Sequence, residues 1–521
     1  MVTGYVIRKN EYHDSVFLMR VAKRLSEQKG ILQAAALMGT EKNKVLLAEI
    51  GVRGMEISES TPSDLIVAIN ADSQETLTSV LENIDQWLNT DLGSGVTGVI
   101  RTLDQASAAQ PHSNLAVISV PGPYAGREAR KALEHGLNVF LFSDNVPLES
   151  ERSLKEYARE RGLIVMGPDC GTAIIGGIGI GFANAVRRGP IGIIGASGSG
   201  IQEFTTLVHR AGSGISHAIG LGSRDLSDAI GGISFLSALD ALKSDRQTEI
   251  ITILSKPPGP LALSKIIPRI LQCHKPIVVC FLGLKQDSHT ANIGYQRAHT
   301  LEDAVAIAVQ IATGHSPPRF HADSPDLQRL IRREQKGKKP EQKYIRGIFA
   351  GGTFCFQAQQ ILQDAGMIAH SNAPLNGNLK LVDPMRSEKH TLVDMGADEF
   401  TAGRPHPMID FRLRGERILA EARDPEVAIL LLDFVLGFNS SPDPAGELIP
   451  AIKEAKREAE KRGRSLSVVA SVCGTEGDPQ NLQQQVKLLE ESGVVVFPSS
   501  AQAAQFCALL MTSLLEAPYA Q

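Results

Sequence analysis

The stretch Gly189–Gly212, GPIGIIGASGSGIQEFTTLVHRAG, decides the fold. Ile191–Ile194 is a short apolar run and is predicted as a buried parallel strand. Ala196-Ser197-Gly198-Ser199-Gly200 cannot continue it, because two glycines within three residues let the backbone turn sharply and approach a ligand. Gln202–Arg210 reads as a helix with Gly212 as its stop. A strand, a small-residue loop and a helix start aim several backbone N–H groups at one point, and the helix dipole adds partial positive charge there. That arrangement suits a phosphate or a carboxylate. The glycines stand as G-x-x-G-x-G, so neither the Rossmann fingerprint nor the lysine of an ordinary P-loop is present. A tight strand–helix turn with no ligand is the alternative.

Working outward, the chain of 521 residues predicts three or four domains at roughly 150 residues each. Hydrophobic residues make up 43% and charged residues 21%, an ordinary globular balance. The net charge of −4 gives no attraction to nucleic acid or to a membrane, so local groups must hold any anion. The six cysteines, at 170, 273, 280, 355, 473 and 507, form no C-x-x-C and no metal-ligand cluster. Reduced thiols in a cytoplasmic protein are expected. No signal peptide and no apolar run of about 18 residues is read.

The fold class expected is α/β and multi-domain, with parallel sheets. Residues 1–105 read as a small α/β domain, with 91–97 as a loose connector. Residues 106–188 repeat strand and helix as parallel βαβ units, and the Gly167–Thr172 loop lies at a strand's carboxyl end, where ligands sit. Residues 189–318 form a third domain. Its strands end in small or polar loops, from which Arg224 and Lys256 either point into the anion site or are solvated loop charges. Residues 319–343 are rich in proline and charge and read as a linker with one short helix. Residues 344–521 echo the third domain: a strand at Tyr344–Phe349 runs into Gly351-Gly352-Thr353, and Val427–Leu432 leads to Asn439-Ser440-Ser441. Within this part, Gly403-Arg404-Pro405-His406-Pro407 sets a histidine between two prolines. His406 is a candidate for proton transfer, with Arg404 and Lys256 as its catalytic companions; a rigid turn with a bystander histidine is the alternative.

These residues carry a resemblance. Gly167-Pro168-Asp169-Cys170-Gly171 and Ser197-Gly198-Ser199-Gly200 resemble the alpha subunit of succinyl-CoA synthetase, and Gly474-Thr475-Glu476 resembles the end of its beta subunit. With Met38-Gly39-Thr40, Gly122-Pro123-Tyr124 and Gly403–Met408, the whole chain is similar to the FdrA family of single-chain synthetase-like proteins. The resemblance implies Rossmann-like and flavodoxin-like sheets, and two opposed helix N-termini at Ala196–Ile201 and Phe438–Ala445. It also implies one subunit of a three-subunit oxamate carbamoyltransferase, which converts oxalurate and phosphate to oxamate and carbamoyl phosphate in allantoin breakdown. Two further protein subunits and small anionic substrates are the partners this implies. The synthetases' phosphohistidine motif, Gly-His-Ala-Gly, is absent: the chain has Ser288-His289-Thr290-Ala291 and Ala298-His299-Thr300. The glycine-rich CoA loop is absent too. These departures weigh against CoA ligation through a phosphohistidine, and no cofactor or metal is read from the sequence.

Overall fold

The computed structural model describes residues 2–13, 15–49, 51–88, 100, 102–284, 294–318, 320–401 and 404–516. The chain forms two compact units. The first comprises Met1–His112 and Asp398–Asp410. Its strands β1 (Val2–Arg8), β2 (Ile31–Met38) and β3 (Leu65–Ala71) form an antiparallel sheet in the order β1-β3-β2. Helices α1 (Ser15–Ser26), α2 (Glu41–Glu49), α3 (Met55–Glu59), α4 (Gln74–Glu82), α5 (Ile84–Leu88) and α6 (Leu103–Ala109) follow the same stretch of chain. Alternation along β3 feeds two cores. Leu65, Val67, Ile69 and Ala71 pack with Leu18, Leu25 and Leu77, while Ile66 and Ala68 pack with Leu47, Val52 and Ile57. Both faces of β3 are therefore buried. The connector expected at 91–97 lies outside the described residues.

The second unit begins with β4 (Leu115–Ile118), α7 (Gly122–Glu134), β5 (Asn138–Leu141), α8 (Leu148–Glu160) and β6 (Val165–Met166), a three-stranded parallel sheet. A hairpin follows, β7 (Thr172–Ile175) and β8 (Ile178–Gly181), turning on Gly176 and Gly177 at φ of 59° and 87°, which favour glycine. The boundary expected at 188 falls after this hairpin, yet β7 already pairs with the next sheet.

That sheet adds β9 (Arg188–Gly195), β10 (Ile215–Gly220), β11 (Ile250–Ser255), β12 (Ile277–Phe281) and β13 (Gln296–Arg297) in the order β13-β12-β11-β9-β10-β7-β8. Its helices are α9 (Gly198–Arg210), α10 (Ile233–Ser244), α11 (Pro260–Leu271) and α12 (Leu301–Thr313). The stretch expected as a linker is docked: α13 (Pro325–Gln335) packs by way of Gln335 on Ser513, and Lys338 donates to Ser465 and Ser467.

The last sheet joins β14 (Tyr344–Phe349), β15 (His370–Ser371), β16 (Leu379–Lys380), β17 (Thr391–Asp394), β18 (Val427–Val435), β19 (Ser467–Cys473) and β20 (Val495–Phe497) in the order β16-β15-β17-β14-β18-β19-β20. Around it run α14 (Gly352–Asp364), α15 (Asp398–Thr401), α16 (Arg412–Arg423), α17 (Pro444–Lys461), α18 (Leu482–Glu491) and α19 (Ser500–Glu516), with α15 belonging to the first unit. The runs β10-β9-β11-β12-β13 and β17-β14-β18-β19-β20 share one topology. In each, chain direction across the sheet reverses beside the first strand, so crevices open at the carboxyl ends of β9 and β14.

Candidate functional site

The two crevices meet. After β9, the Ala196 N–H donates to the Leu254 carbonyl at 3.0 Å. Ser197 is then the N-cap of α9, and its Oγ accepts from the Gly200 N–H at 3.3 Å. After β14, Gly351 is the N-cap of α14. The Ser197 hydroxyl is hydrogen-bonded to the Thr353 hydroxyl, and the Thr353 N–H points to Ser199 Oγ at 3.4 Å. The fit is close enough to require glycine: a Cβ on Gly351 would lie 2.8 Å from the Ser199 Cβ. Small residues on both loops thus bring two helix N-termini together. Among the described residues, no acceptor meets the Gly198 and Ser199 N–H groups in the first turn of α9.

Around this pair, Lys256 sits at the end of β11, with its Nζ 4.0 Å from the centre of the Phe356 ring on α14. It therefore reaches from the first ligase sheet to a helix of the second. Asp433, near the end of β18, accepts from the Ala350 and Gly351 N–H groups at 2.8 and 2.9 Å. Arg414 on α16, fully buried, donates to Asp433 at 2.7 Å and to the Ile348 carbonyl at 3.0 Å. Burial pushes the Asp433 carboxyl up, while Arg414 and the two amides hold it down. The pair fixes the shape of the second loop.

Arg224 pairs with Glu151 at 2.8 Å and donates to the Val146 carbonyl, so its guanidinium is committed to α8. The Phe438–Ala445 stretch, expected to oppose Ala196–Ile201, docks on the end of the β7–β8 hairpin. Phe438 N–H donates to the Ala183 carbonyl, and Asn439 donates to the Gly181 carbonyl at 2.8 Å. Ser441 is bonded to Glu447, and the Ser440 hydroxyl is buried without a partner among the described residues. The direct partner of the Ala196–Gly200 loop is Gly351–Thr353; the sequence echo was visible, but which loop faces it is set by tertiary packing. Arg404 and His406 lie in the first unit, where His406 Nδ1 accepts from the Met408 N–H at 3.2 Å. His289 lies outside the described residues. His299 is held by Asp364 at 2.7 Å and by Gln360, two to three turns along α14 from Thr353.

A groove of about 350 Å³ lies between α7 and α8, lined among others by Gly122, Gly126, Arg127, Arg130, Ser150 and Ser153. Arg130 donates to Ser153 at 2.8 Å and stacks on Tyr157.

Known proteins match this architecture piece by piece. Residues 348–510 match the family described as CoA-ligase, residues 186–283 the CoA binding domain, and residues 1–98 "AllF, heavy metal-associated domain". Residues 1–98 hold no cysteine, and among the described residues no three His, Cys, Asp or Glu are grouped to hold a metal, so the chemistry of a thiolate metal site does not fit. No helix of the described residues is long and apolar enough to cross a membrane. The succinate–CoA ligase alpha subunit of Methanothermobacter thermautotrophicus is 27% identical over 38% of this chain and 64% of its own length. A solved dinucleotide-forming acetyl-coenzyme A synthetase of Ca. Korarchaeum cryptofilum covers 77% of this chain and 85% of its own at 18% identity, with a TM-score of 0.31. Escherichia coli K12 YahF, described as uncharacterized, is 44% identical over 96% of this chain and 97% of its own length. The chain belongs to the same family as YahF, one built on succinyl-CoA synthetase-like domains.

Proposed function

We propose that the chain is a group-transfer subunit that holds a phosphate and an adjoining carbonyl group between its two ligase domains, and that its reaction is the phosphorolysis of oxalurate to oxamate and carbamoyl phosphate. The supporting observation is the meeting of the two loops: Ser197 and Thr353 join the N-termini of α9 and α14, with Lys256 alongside. Fixed N–H groups and a cation placed where negative charge develops stabilise a tetrahedral acyl-transfer intermediate without reorganisation. The α9 amides and Lys256 bind phosphate, and the Thr353 hydroxyl orients the carbonyl. The AllF-described match of the N-terminal residues supports the setting of allantoin breakdown that the family resemblance implies. Two partner subunits complete the enzyme in this reading.

The matches to CoA-ligase and CoA binding domains favour a second reading, acid–thiol ligation. Arg127, Arg130, Ser150 and Ser153 in the groove between α7 and α8 offer the cationic and hydroxyl donors that hold a diphosphate. CoA bound there would supply the thiol. Phosphate-dependent oxamate release from oxalurate, assayed with and without partner subunits, is expected; release of nucleotide dependent on CoA and a carboxylic acid, with no oxamate, would establish the second reading.

Gly198→Val tests the anion side directly. A Cβ at Gly198 would lie 3.1 Å from Thr172 Oγ1, a tight but adjustable contact, so the variant folds. Its branched side chain covers the free amides of the first turn. At about 1–2 kcal/mol for each lost hydrogen bond, phosphate affinity measured by calorimetry falls at least tenfold. Unchanged affinity in folded protein would remove this loop from the site.

A further inference from the structure

Beyond the two loops, the helices that carry them are pinned to one another, and each ligase domain caps a helix start of the other. Glu203 lies on α9, about 9 Å along the helix from Ser197. It is buried and accepts from the Ser500 N–H, the first amide of α19, at 2.7 Å. Ser500 Oγ in turn accepts from Gln357 Nε2 at 2.7 Å, and Gln357 lies one turn past Thr353 on α14. Gln357 Oε1 accepts from the Leu301 N–H, the first amide of α12, at 2.8 Å. Glu302, next to Leu301, accepts from Ser499 Oγ at 3.0 Å and from Gln502 on α19. Thus α9 and α12 of the first domain are tied to α14 and α19 of the second through two carboxylates that share one helix start. Other charges act on them. Arg210 on α9 favours the ionised form of Glu203, Glu302 on α12 opposes it, and the Cys473 thiol on β19 is itself held neutral by burial and by Glu203. Asp303 on α12 acts on Glu302 in the same sense. From α14 and α19 come the uncharged Gln357 and Ser500. Burial dominates and pushes both carboxyls up, Glu203 to about 7.

We propose that Glu203 and Glu302 form a proton-operated clasp between the two ligase domains: a proton on Glu203 keeps it closed and holds the Ser197 and Thr353 loops together, and loss of that proton lets α14 and α19 lift from α9 and parts the loops. The physical reason is that two ionised carboxylates at one buried helix start repel each other and lack water, while the opened interface restores water to both. Glu203 and Glu302 are positioning residues, because they act on the loops through the helices that carry them, whatever the loops bind.

Hydrogen exchange of the full chain at about pH 6 and pH 8.5, read by mass spectrometry and corrected for the intrinsic effect of pH, tests the clasp. In the open form Glu203 meets water and returns to its ordinary value of 4.5, so opening becomes about tenfold more frequent at the higher pH. Peptides that hold the Leu301, Thr353 and Ser500 amides are therefore expected to lose about tenfold in protection. Dilute urea leaves their exchange unchanged, because the opening exposes little surface. Glu203→Gln keeps an oxygen for Ser500 and brings the loss below about threefold. Equal protection at the two pH values overturns the clasp, as does a tenfold loss that persists in Glu203→Gln. Exchange of these amides only through the urea-sensitive unfolding that exposes β11 and β18 overturns it too, since Glu203 then acts on global stability alone.

Discussion

Replacing Lys155 by Met is expected to cost about 3–5 kcal/mol of folding stability, the usual result of stripping a buried charge cluster of its cation. Lys155 on α8 is fully buried and lies 2.8 Å from both Glu151 and Asp225, with the Leu221 carbonyl at 3.2 Å. Asp225 also accepts from the Ser234 and Phe235 N–H groups, so it serves as the missing cap of α10, whose N-cap is Gly232. One ammonium therefore ties the small parallel sheet of β4–β6 to the first ligase sheet and to a helix start. Without it, Arg224 still faces Glu151, but Asp225 stays buried with amides alone. Urea unfolding followed by circular dichroism measures the loss. A change below about 1 kcal/mol would mean that water reaches the cluster and that the charges are not buried in solution.

The second large effect depends on pH. Glu203 on α9 is buried and accepts from the Ser500 N–H at the start of α19, at 2.7 Å. Burial pushes its carboxyl up to about 7, against the lowering bonds from Ser500. The unfolded chain loses this proton near the ordinary value of 4.5, while the folded chain keeps it to about 7. Stability from this group is therefore highest below about 4.5, falls as pH rises between the two values, and levels off above 7, a loss of about 3 kcal/mol. Glu203→Gln keeps a carbonyl oxygen for Ser500 and removes the titration. The variant is expected to be about 2–3 kcal/mol more stable than the parent at pH 8 and nearly equal to it at pH 4.5. Equal stabilities at pH 8 would show that the carboxylate finds solvent without cost.

Much of the architecture could be read from local pattern, because Ile191–Ile194 and Val427–Leu432 are apolar runs that only a buried strand accommodates. The hairpin is harder to read, because its strands β7 and β8 are only four residues each, although Gly176-Gly177 is a turn signature. The antiparallel sheet of residues 1–105 was also not separable from a parallel one, since helices follow its strands in either case. At the site, Ser197 and Gly198 were legible from their own neighbourhood. Asp433 carries no local sign of its role: it interrupts the apolar run Leu430-Leu431-Leu432 within β18, and its partner Arg414 lies on another helix. Lys155 carries no such sign: its helix is charged throughout, and its partner Asp225 lies 70 residues on. The stretch 319–343 has the composition of a linker. Lys338 is nevertheless packed on Ser465 and Ser467 and pushed down to about 8 by burial, a property that depends on a surface more than 120 residues away.

The first unit is completed by Asp398–Asp410, which contributes the buried side chains Phe400, Met408 and Ile409, and Lys23 donates to the Ile409 carbonyl at 3.2 Å. This has a consequence for synthesis. A ribosome adding about 5–20 residues per second needs roughly 15–60 s to travel from residue 112 to residue 410. Throughout that interval the first unit lacks its Asp398–Asp410 segment, while the sheets of the second unit emerge behind it. The usual order, in which the first-made domain is finished first, is reversed here: the beginning of the chain waits for a segment near its end.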